Sequence, residues 1–424
     1  MKQFQFDVQK FRSRFPACQL QVAGAPIAYL DGPGGTQVPQ SVVDAITGYL
    51  INDNANEGGN FKASYKTDEV EQAAFAAAAD FLGCSPQEVG FSVGSTQHSY
   101  NFSVNIAKTL QPGDELIITE IDHRCNSQPW RRLGKLGFEV KQVRLDLETQ
   151  QLDWDDYMSK LSDRTKVVAV NWASNALGTI TDVKKYIDAA HEVGAVTVVD
   201  AVHYAAHLPM DVKSIGTDVL LCSPYKFFGP HMGLCYMDEK LLGSLEFNNA
   251  GAEDISEGSR KFHMATPQYE FLAGMTAAIN MIAEVGAEYA YYFEEELEGL
   301  SGRRRDVVAG MMAFDAYEAP LATRIRKGLR RLPGVHVYGP AEGQPRTPTV
   351  AFTMEGYAPE EVTKVLGDKG INAWHGDFYA IEVISALGLE DKGGLIRVGL
   401  APYCTEGDID RLLATVAELA YAKA

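Results

Sequence analysis

The sequence predicts an α/β fold: a large domain built on a mostly parallel sheet, then a smaller α+β domain. Three observations carry this. Between about residues 65 and 290, short and uniformly apolar runs alternate with stretches of helical period, the pattern of strands buried on both faces by crossover helices. Beyond about residue 290 the alternation gives way to charge runs and a mixed strand–helix pattern. A chain of 424 residues also exceeds what a single small core organises.

The elements follow in order. Residues 67–82 carry Ala and Phe at helical spacing and read as an amphipathic helix. Residues 89–93 form a short apolar run, and a helical pattern follows it through Lys108. Residues 116–118 and 167–170 are apolar runs of strand length. Residues 182–193 read as a helix closed by Gly194, with a strand over 195–199. Val219–Cys222 and residues 233–236 complete the series. Glu294 to Glu296 and Arg303 to Arg305 are expected in one long charged helix, either a link between domains or a solvated face. After them come a strand over 349–353, a helix over 359–367 and a strand over 395–400. The last helix, 405–423, is opened by Thr405 with Gly407 and Asp408 in its first turn. These patterns divide the chain into an N-terminal segment 1–30 packing with the small domain, a large domain 31–290 and a small domain 291–424.

Composition narrows the class of function. Lys and Arg number 38 against 56 acids, a net charge of −18, which argues against nucleic acid and anionic membrane as partners. Residues 1–15 lack the apolar core of a signal peptide. No apolar run approaches the ~18 residues of a membrane span. The six cysteines are scattered, with no CxxC and no metal-ligand spacing, so reduced thiols and a cytoplasmic location are expected.

In parallel sheets ligands bind beyond the carboxyl ends of the strands, and those positions hold the candidate residues. Lys226 closes Ser223-Pro224-Tyr225-Lys226, and Asp200 ends the strand before it. Two readings are open: a structural ion pair, or a pyridoxal phosphate (PLP) site. In the second, the lysine holds the aldehyde as a Schiff base and the acid keeps the ring nitrogen protonated. Gly94-Ser95-Thr96 opens a helix, as an anion site or a plain cap. His123 suits stacking on an aromatic ring, or a structural role. Asn175 suits a donor to a phenolate oxygen, or a turn. His203 follows Asp200 closely enough to reach the same ligand. Together these groups match PLP better than any one of them does alone.

The chain resembles class V aminotransferases of PLP fold type I, within them the cysteine desulfurase and selenocysteine lyase branch. The resemblance runs from Tyr29-Leu30-Asp31-Gly32-Pro33-Gly34 to the final helix, through Gly94-Ser95-Thr96, His123 with Asn126 and Pro129-Trp130, and Ser174-Asn175-Ala176-Leu177-Gly178. It continues through Asp200-Ala201-Val202-His203, Ser223 to Lys226, and Ile396-Arg397-Val398 followed by Tyr403-Cys404-Thr405-Glu406. It implies that Lys226 carries the cofactor and moves the Cα proton, that Asp200 pairs with the ring nitrogen, and that His123 stacks on the ring. Asn175 and His203 would contact the phenolic oxygen, and Ser95, Thr96, Ser223 and Tyr225 the phosphate. Arg397 would clamp the substrate carboxylate. Lys261 to Pro267 resembles the segment that reaches the partner subunit's phosphate, so Thr266 implies a homodimer with shared sites.

The departures bear on the reaction. The family's desulfurases carry a cysteine on a loop ahead of the carboxylate-binding arginine. The corresponding stretch here is Trp374 to Ala380, with Tyr379 at that place, and no cysteine lies between Cys235 and Cys404. A persulfide mechanism at this loop is therefore not expected. Cys125, beside His123, is read as an inert thiol or as a substitute nucleophile. Tyr379 is read as a substrate-side acid or a packing residue of a lid. His203 and Tyr225 stand where the family has Gln and His. The expected reaction on an α-amino acid is β-elimination of C–S lyase type. Transamination, epimerisation and a non-catalytic scaffold are the alternatives, in that order.

Overall fold

In a computed structural model that describes residues 4–247, 261 and 264–423, seven strands form the large sheet. They are β1 (Val89–Ser92), β2 (Glu115–Thr119), β3 (Glu139–Val143), β4 (Thr165–Asn171), β5 (Val196–Asp200), β6 (Val219–Cys222) and β7 (Gly233–Met237). Their spatial order is β1-β7-β6-β5-β4-β2-β3. β3, β2, β4, β5 and β6 run parallel, and only β7 runs against its neighbours.

Successive residues along β2, β4 and β6 enter two different cores, which is why these runs read as continuously apolar. Leu116, Ile118, Val167, Ala169, Val219 and Leu221 pack on one face with Phe102, Ile106, Trp130 and Leu133. Those four come from helices α1 (Ser95–Ala107) and α2 (Arg124–Leu133). Ile117, Val168, Val170, Leu220 and Cys222 join the larger core on the other face. The sequence pattern misses β3. It is an edge strand, Glu139-Val140-Lys141-Gln142-Val143, mostly half-buried, with Lys141 paired to buried Glu115 at 2.6 Å. An edge strand facing water needs no apolar run.

The expected charged helix is corrected by the structure. Helix α3 (Tyr269–Tyr289) ends before the glutamates, and α4 (Gly302–Leu329) begins after them. Glu294 to Glu296 lie between, and Gly299 and Gly302 at φ +81° and +55° turn the chain there. The arginines belong to the first turn of α4. Arg303 Nε reaches Asp80 at 2.7 Å, and Arg304 donates to the carbonyls of Asp80 and Phe81. Arg304 is thus directed at the C-terminal carbonyls of the helix Lys62–Leu82, where cations are favoured, while Arg305 turns to Asp306. That helix also begins five residues earlier than the sequence reading placed it.

Helices α3 and α4 meet through glycine. A Cβ on Gly286 would lie 1.6 Å from the carbonyl oxygen of Asp306, and one on Gly310 would lie 2.3 Å from that of Ile282. Backbone cannot yield as a side chain does. Gly286→Ala is therefore expected to destabilise the protein by about 3 kcal/mol, seen as a lower midpoint of thermal unfolding.

The second sheet, of antiparallel strands, has the order β8-β9-β11-β10, with β8 Val335–Tyr338, β9 Thr349–Met354, β10 Trp374–Gly376 and β11 Leu395–Gly399. Part of the stretch read as a loop is thus strand β10. The last helix, Glu406–Ala422, is capped by Thr405, whose hydroxyl takes the Asp408 N–H at 3.2 Å. Asp408 also pairs with Arg12 at 3.0 Å, and Ala28–Tyr29 pairs with Ile371–Asn372. The N-terminal segment is so joined to the C-terminal part of the chain. Among the described residues, no helix is long and apolar enough to cross a membrane.

Candidate active site

The parallel strands point their carboxyl ends at a cleft of about 840 Å3. Register sets the floor: Asp200 at the end of β5 lies opposite Asn171 of β4 and Leu221 of β6. Of the candidate residues, Ser95, Thr96, His123, Asn175, Asp200, His203, Tyr225, Lys226, Tyr379 and Arg397 line this cleft. Ser223 stands behind it, buried, its hydroxyl 3.0 Å from that of Ser95. Thr266 does not line the cleft. It is exposed, beside Pro267 and Gln268, and Phe262 and His263 of the same segment lie outside the described residues.

Lys226 follows β6 in a single 3-10 turn, Pro224–Lys226, buried, with its ammonium donating to the carbonyl of Pro33. Burial, and then the positive charge of Arg397, pull its pKa down to about 7; Asp200 opposes the shift only in part. Asp200 is buried as well, which raises its carboxyl, while Oδ1 accepts the Val202 N–H at 2.9 Å. The two residues share the cleft without a direct salt bridge between them. Neither depends on the other for a hydrogen bond, which speaks against the ion-pair reading.

His123 caps α2, and its Nδ1 accepts the Cys125 N–H at 3.0 Å. Its proton therefore sits on Nε2, and burial, then Lys226 and Arg397, lower its pKa to about 4. The ring is neutral at pH 7 and suited to lie on an aromatic face. His203 Nε2 lies 3.0 and 2.9 Å from the hydroxyls of Thr347 and Thr349, and burial keeps it neutral. Gly94 caps α1, whose first residues Ser95 and Thr96 line the cleft, and a helix N-terminus favours an anion. A Cβ on Gly233 would meet the Gly94 carbonyl carbon at 2.5 Å, so β7 holds that turn closely.

Arg397 rises from β11. One Nη donates to the Asn175 carbonyl at 2.8 Å, and the guanidinium lies 4.0 Å over the Phe378 ring. Burial disfavours its charge, yet a guanidinium keeps its proton at any ordinary pH. Asn175 Nδ2 donates to the Phe378 carbonyl at 2.9 Å, so one of its two amide hydrogens is already engaged. Tyr379 is exposed, and its carbonyl accepts the Arg124 N–H at 2.8 Å. Phe378 and Tyr379 stand at φ +54° and +57°, two left-handed residues in succession, a conformation that costs energy without glycine.

PLP fits this cleft on an observation independent of motifs. Asn171 Oδ1, Asn175 Oδ1, His203 Nδ1 and Arg397 Nε are buried polar atoms of cleft-lining residues with no hydrogen-bond partner among the described residues. Such atoms are costly unless a polar ligand meets them. With a threonine hydroxyl donating to Nε2, His203 carries its proton on Nδ1, a donor for an anionic oxygen.

Several contacts escape sequence reasoning because they join distant segments: Cys125 to Asp200, His203 to Thr347 and Thr349, Arg397 to Phe378, and Lys226 to Pro33. Only Cys125 carries a local signal, its place two residues after His123.

The family model for aminotransferase class-V matches residues 28–301 and 307–412. An aminotransferase-like protein, FGM3, of Gibberella zeae is 32% identical over 98% of this chain and 99% of its own. A cysteine desulfurase of Synechococcus elongatus is 30% identical over 97% of this chain and 63% of its own, longer, chain. Among solved structures, the apo cysteine desulfurase of Thermococcus onnurineus NA1 superposes with a TM-score of 0.86 at 24% identity, covering 100% of both chains. The cysteine desulfurase CsdA of Escherichia coli does so with 0.80 at 23%, covering 99% of both; these two likenesses establish the fold. The chain belongs to the aminotransferase class-V family of pyridoxal-phosphate-dependent enzymes and has their fold type I.

Proposed function

We propose that this protein is a PLP-dependent lyase that eliminates a sulfur substituent from the β-carbon of an α-amino acid. The observation that carries it is the convergence, in one cleft, of a lysine with a pKa near 7, an acid on the neighbouring strand and a buried arginine, with tyrosine where a nucleophilic thiol is expected. PLP, when bound, supplies an aldehyde for amino groups and a ring that accepts the electron pair released at Cα.

The chain's own residues do the rest. Ser95, Thr96, Ser223 and Tyr225 hold the phosphate, and the α1 N-terminus adds its N–H groups. His123 would stack on the ring, Asp200 would keep the ring nitrogen protonated, and His203 with Asn175 would meet the phenolic oxygen. Arg397 binds the substrate carboxylate and fixes which Cα bond stands ready to break. Lys226, with a pKa lowered to about 7, would serve as the base that takes the substrate's Cα proton near neutral pH. Tyr379 borders the substrate side of the cleft, where the leaving sulfur departs. Thr266, exposed and away from its own cleft, supports a homodimer in which it serves the partner's phosphate. The scattered cysteines support a cytoplasmic location and the acidic surface the absence of nucleic-acid and membrane partners. The domain limits near 30 and 290 are proposed likewise.

The products decide the reading. PLP-loaded protein is expected to release pyruvate and ammonia in equal amounts, with sulfide from cysteine or the persulfide of cysteine from cystine. Alanine with protein-bound persulfide would mean desulfuration instead. A new amino acid formed from an added keto acid, without ammonia, would mean transamination.

A further inference from the structure

The Asp200 carboxylate is held at both oxygens. Oδ1 takes the Val202 N–H at 2.9 Å, and Oδ2 takes the Cys125 thiol at 3.3 Å, an ordinary length for a sulfur donor. Cys125 sits in the first turn of α2 and also gives its backbone N–H to His123 Nδ1. One residue thus holds, through its main chain, the imidazole proposed to lie on the cofactor ring. Through its side chain it holds the acid proposed to pair with the ring nitrogen.

We infer that Cys125 is a positioning residue of this site: its thiol orients the Asp200 carboxylate and draws negative charge from it, setting how firmly the cofactor's ring nitrogen keeps its proton. The inference rests on the PLP reading of the cleft. A thiol suits the task in two ways. Desolvation and the neighbouring Asp200 charge push its pKa far up, so it stays a donor at every working pH. It is also a weaker donor than a hydroxyl, so it restrains the carboxylate without neutralising it. The other titratable groups around the pair are Lys226, Asp122, Tyr225 and Cys222. None of them donates a hydrogen bond to Asp200, so the thiol is the side-chain donor to it among the described residues. The same feature makes Cys125 unsuited as a substitute nucleophile, because the thiolate is disfavoured.

The test compares wild type, Cys125→Ala and Cys125→Ser, each loaded with PLP, by the pH midpoint of the visible absorption band. Without the thiol, Asp200 keeps its full charge and holds the ring nitrogen's proton more firmly. That positive charge opposes a second one on the lysine-linked nitrogen at the other end of the conjugated system. The midpoint in Cys125→Ala is therefore expected to fall by roughly half a pH unit or more, with Cys125→Ser, a stronger donor, at or above the wild-type midpoint. Thermal unfolding reports whether each variant is folded. A measurement free of Cys125 variants is the infrared S–H stretch of the apo protein, expected to rise in frequency in Asp200→Asn as the bond to the carboxylate weakens. A coloured Cys125→Ala protein with an unchanged midpoint, or an unmoved S–H band, overturns the role of the thiol and leaves the PLP reading standing. A wild-type protein that takes up no PLP overturns both.

Discussion

Lys226→Ala protein mixed with PLP stays without the visible band that the wild type acquires, and its turnover falls by at least about 10³-fold, the range of a lost acid–base group with a lost covalent anchor added. Both losses follow from one amine. Lys226 lies buried at the end of β6, and burial and Arg397 hold its pKa at about 7. Above that pH the amine is neutral and nucleophilic. Capture of PLP by the apo protein should therefore speed up to about pH 7 and then level off, where an ordinary lysine would climb towards about pH 10. The same shift has a sign in stability. The unfolded chain keeps the proton up to about pH 10, the folded chain only to about pH 7, so between those values unfolding takes up a proton and stability rises with pH. Apo Lys226→Ala is accordingly more stable than apo wild type below pH 7, and the gap closes as pH rises through that window. Unfolding in denaturant at several pH values measures it. A wild-type protein as stable as the variant at pH 6 would contradict the buried amine of lowered pKa.

The lysine and its acid were legible in the sequence because each ends a strand buried on both faces, and such strands announce themselves as unbroken apolar runs. Val219–Cys222 coincides with β6, and the run before Asp200 is β5 within a residue. Edge elements leave no such mark. Strand β3 carries Glu, Lys and Gln because one side meets solvent, and β10 begins with the exposed Trp374. Charge misled in the opposite direction: the glutamates near 295 and the arginines near 304 read as one helix, though Arg304 is turned inward to cap another helix and Arg303 pairs with its Asp80. What no local pattern encodes is pairing over distance. Thr347 and Thr349 are ordinary strand residues until the fold brings them to His203. Cys125 is an ordinary thiol until β5 brings Asp200 within 3.3 Å.

Arg397 is the second residue whose loss should be large. Its guanidinium is buried and carries a full charge, yet its fixed partners are only the Asn175 carbonyl and the Phe378 ring. Among the described residues Nε has no hydrogen-bond partner, and the acid that acts on it, Asp31, is raised in pKa by desolvation, with its buried Oδ1 unpaired. A buried cation so poorly compensated is expensive to keep, and a carboxylate arriving from outside would find two donors already oriented. Arg397→Ala should therefore lower kcat/KM for the amino acid by about 10²- to 10³-fold, the cost of losing a charged, desolvated pair, mostly through KM. PLP should still bind through the groups at the strand ends, but its capture near pH 7 should slow, because loss of the guanidinium charge lets the Lys226 pKa rise. Arg397→Lys keeps the charge but loses the planar fork and the stacking on Phe378, so it should recover only a small part. The two variants separate the roles. An amine or an amino acid ester, lacking the carboxylate, should react with wild type and Arg397→Ala at similar rates. If the ester loses as much as the free acid, Arg397 acts by holding Phe378 and Asn175 in place, and the carboxylate is bound elsewhere in the cleft.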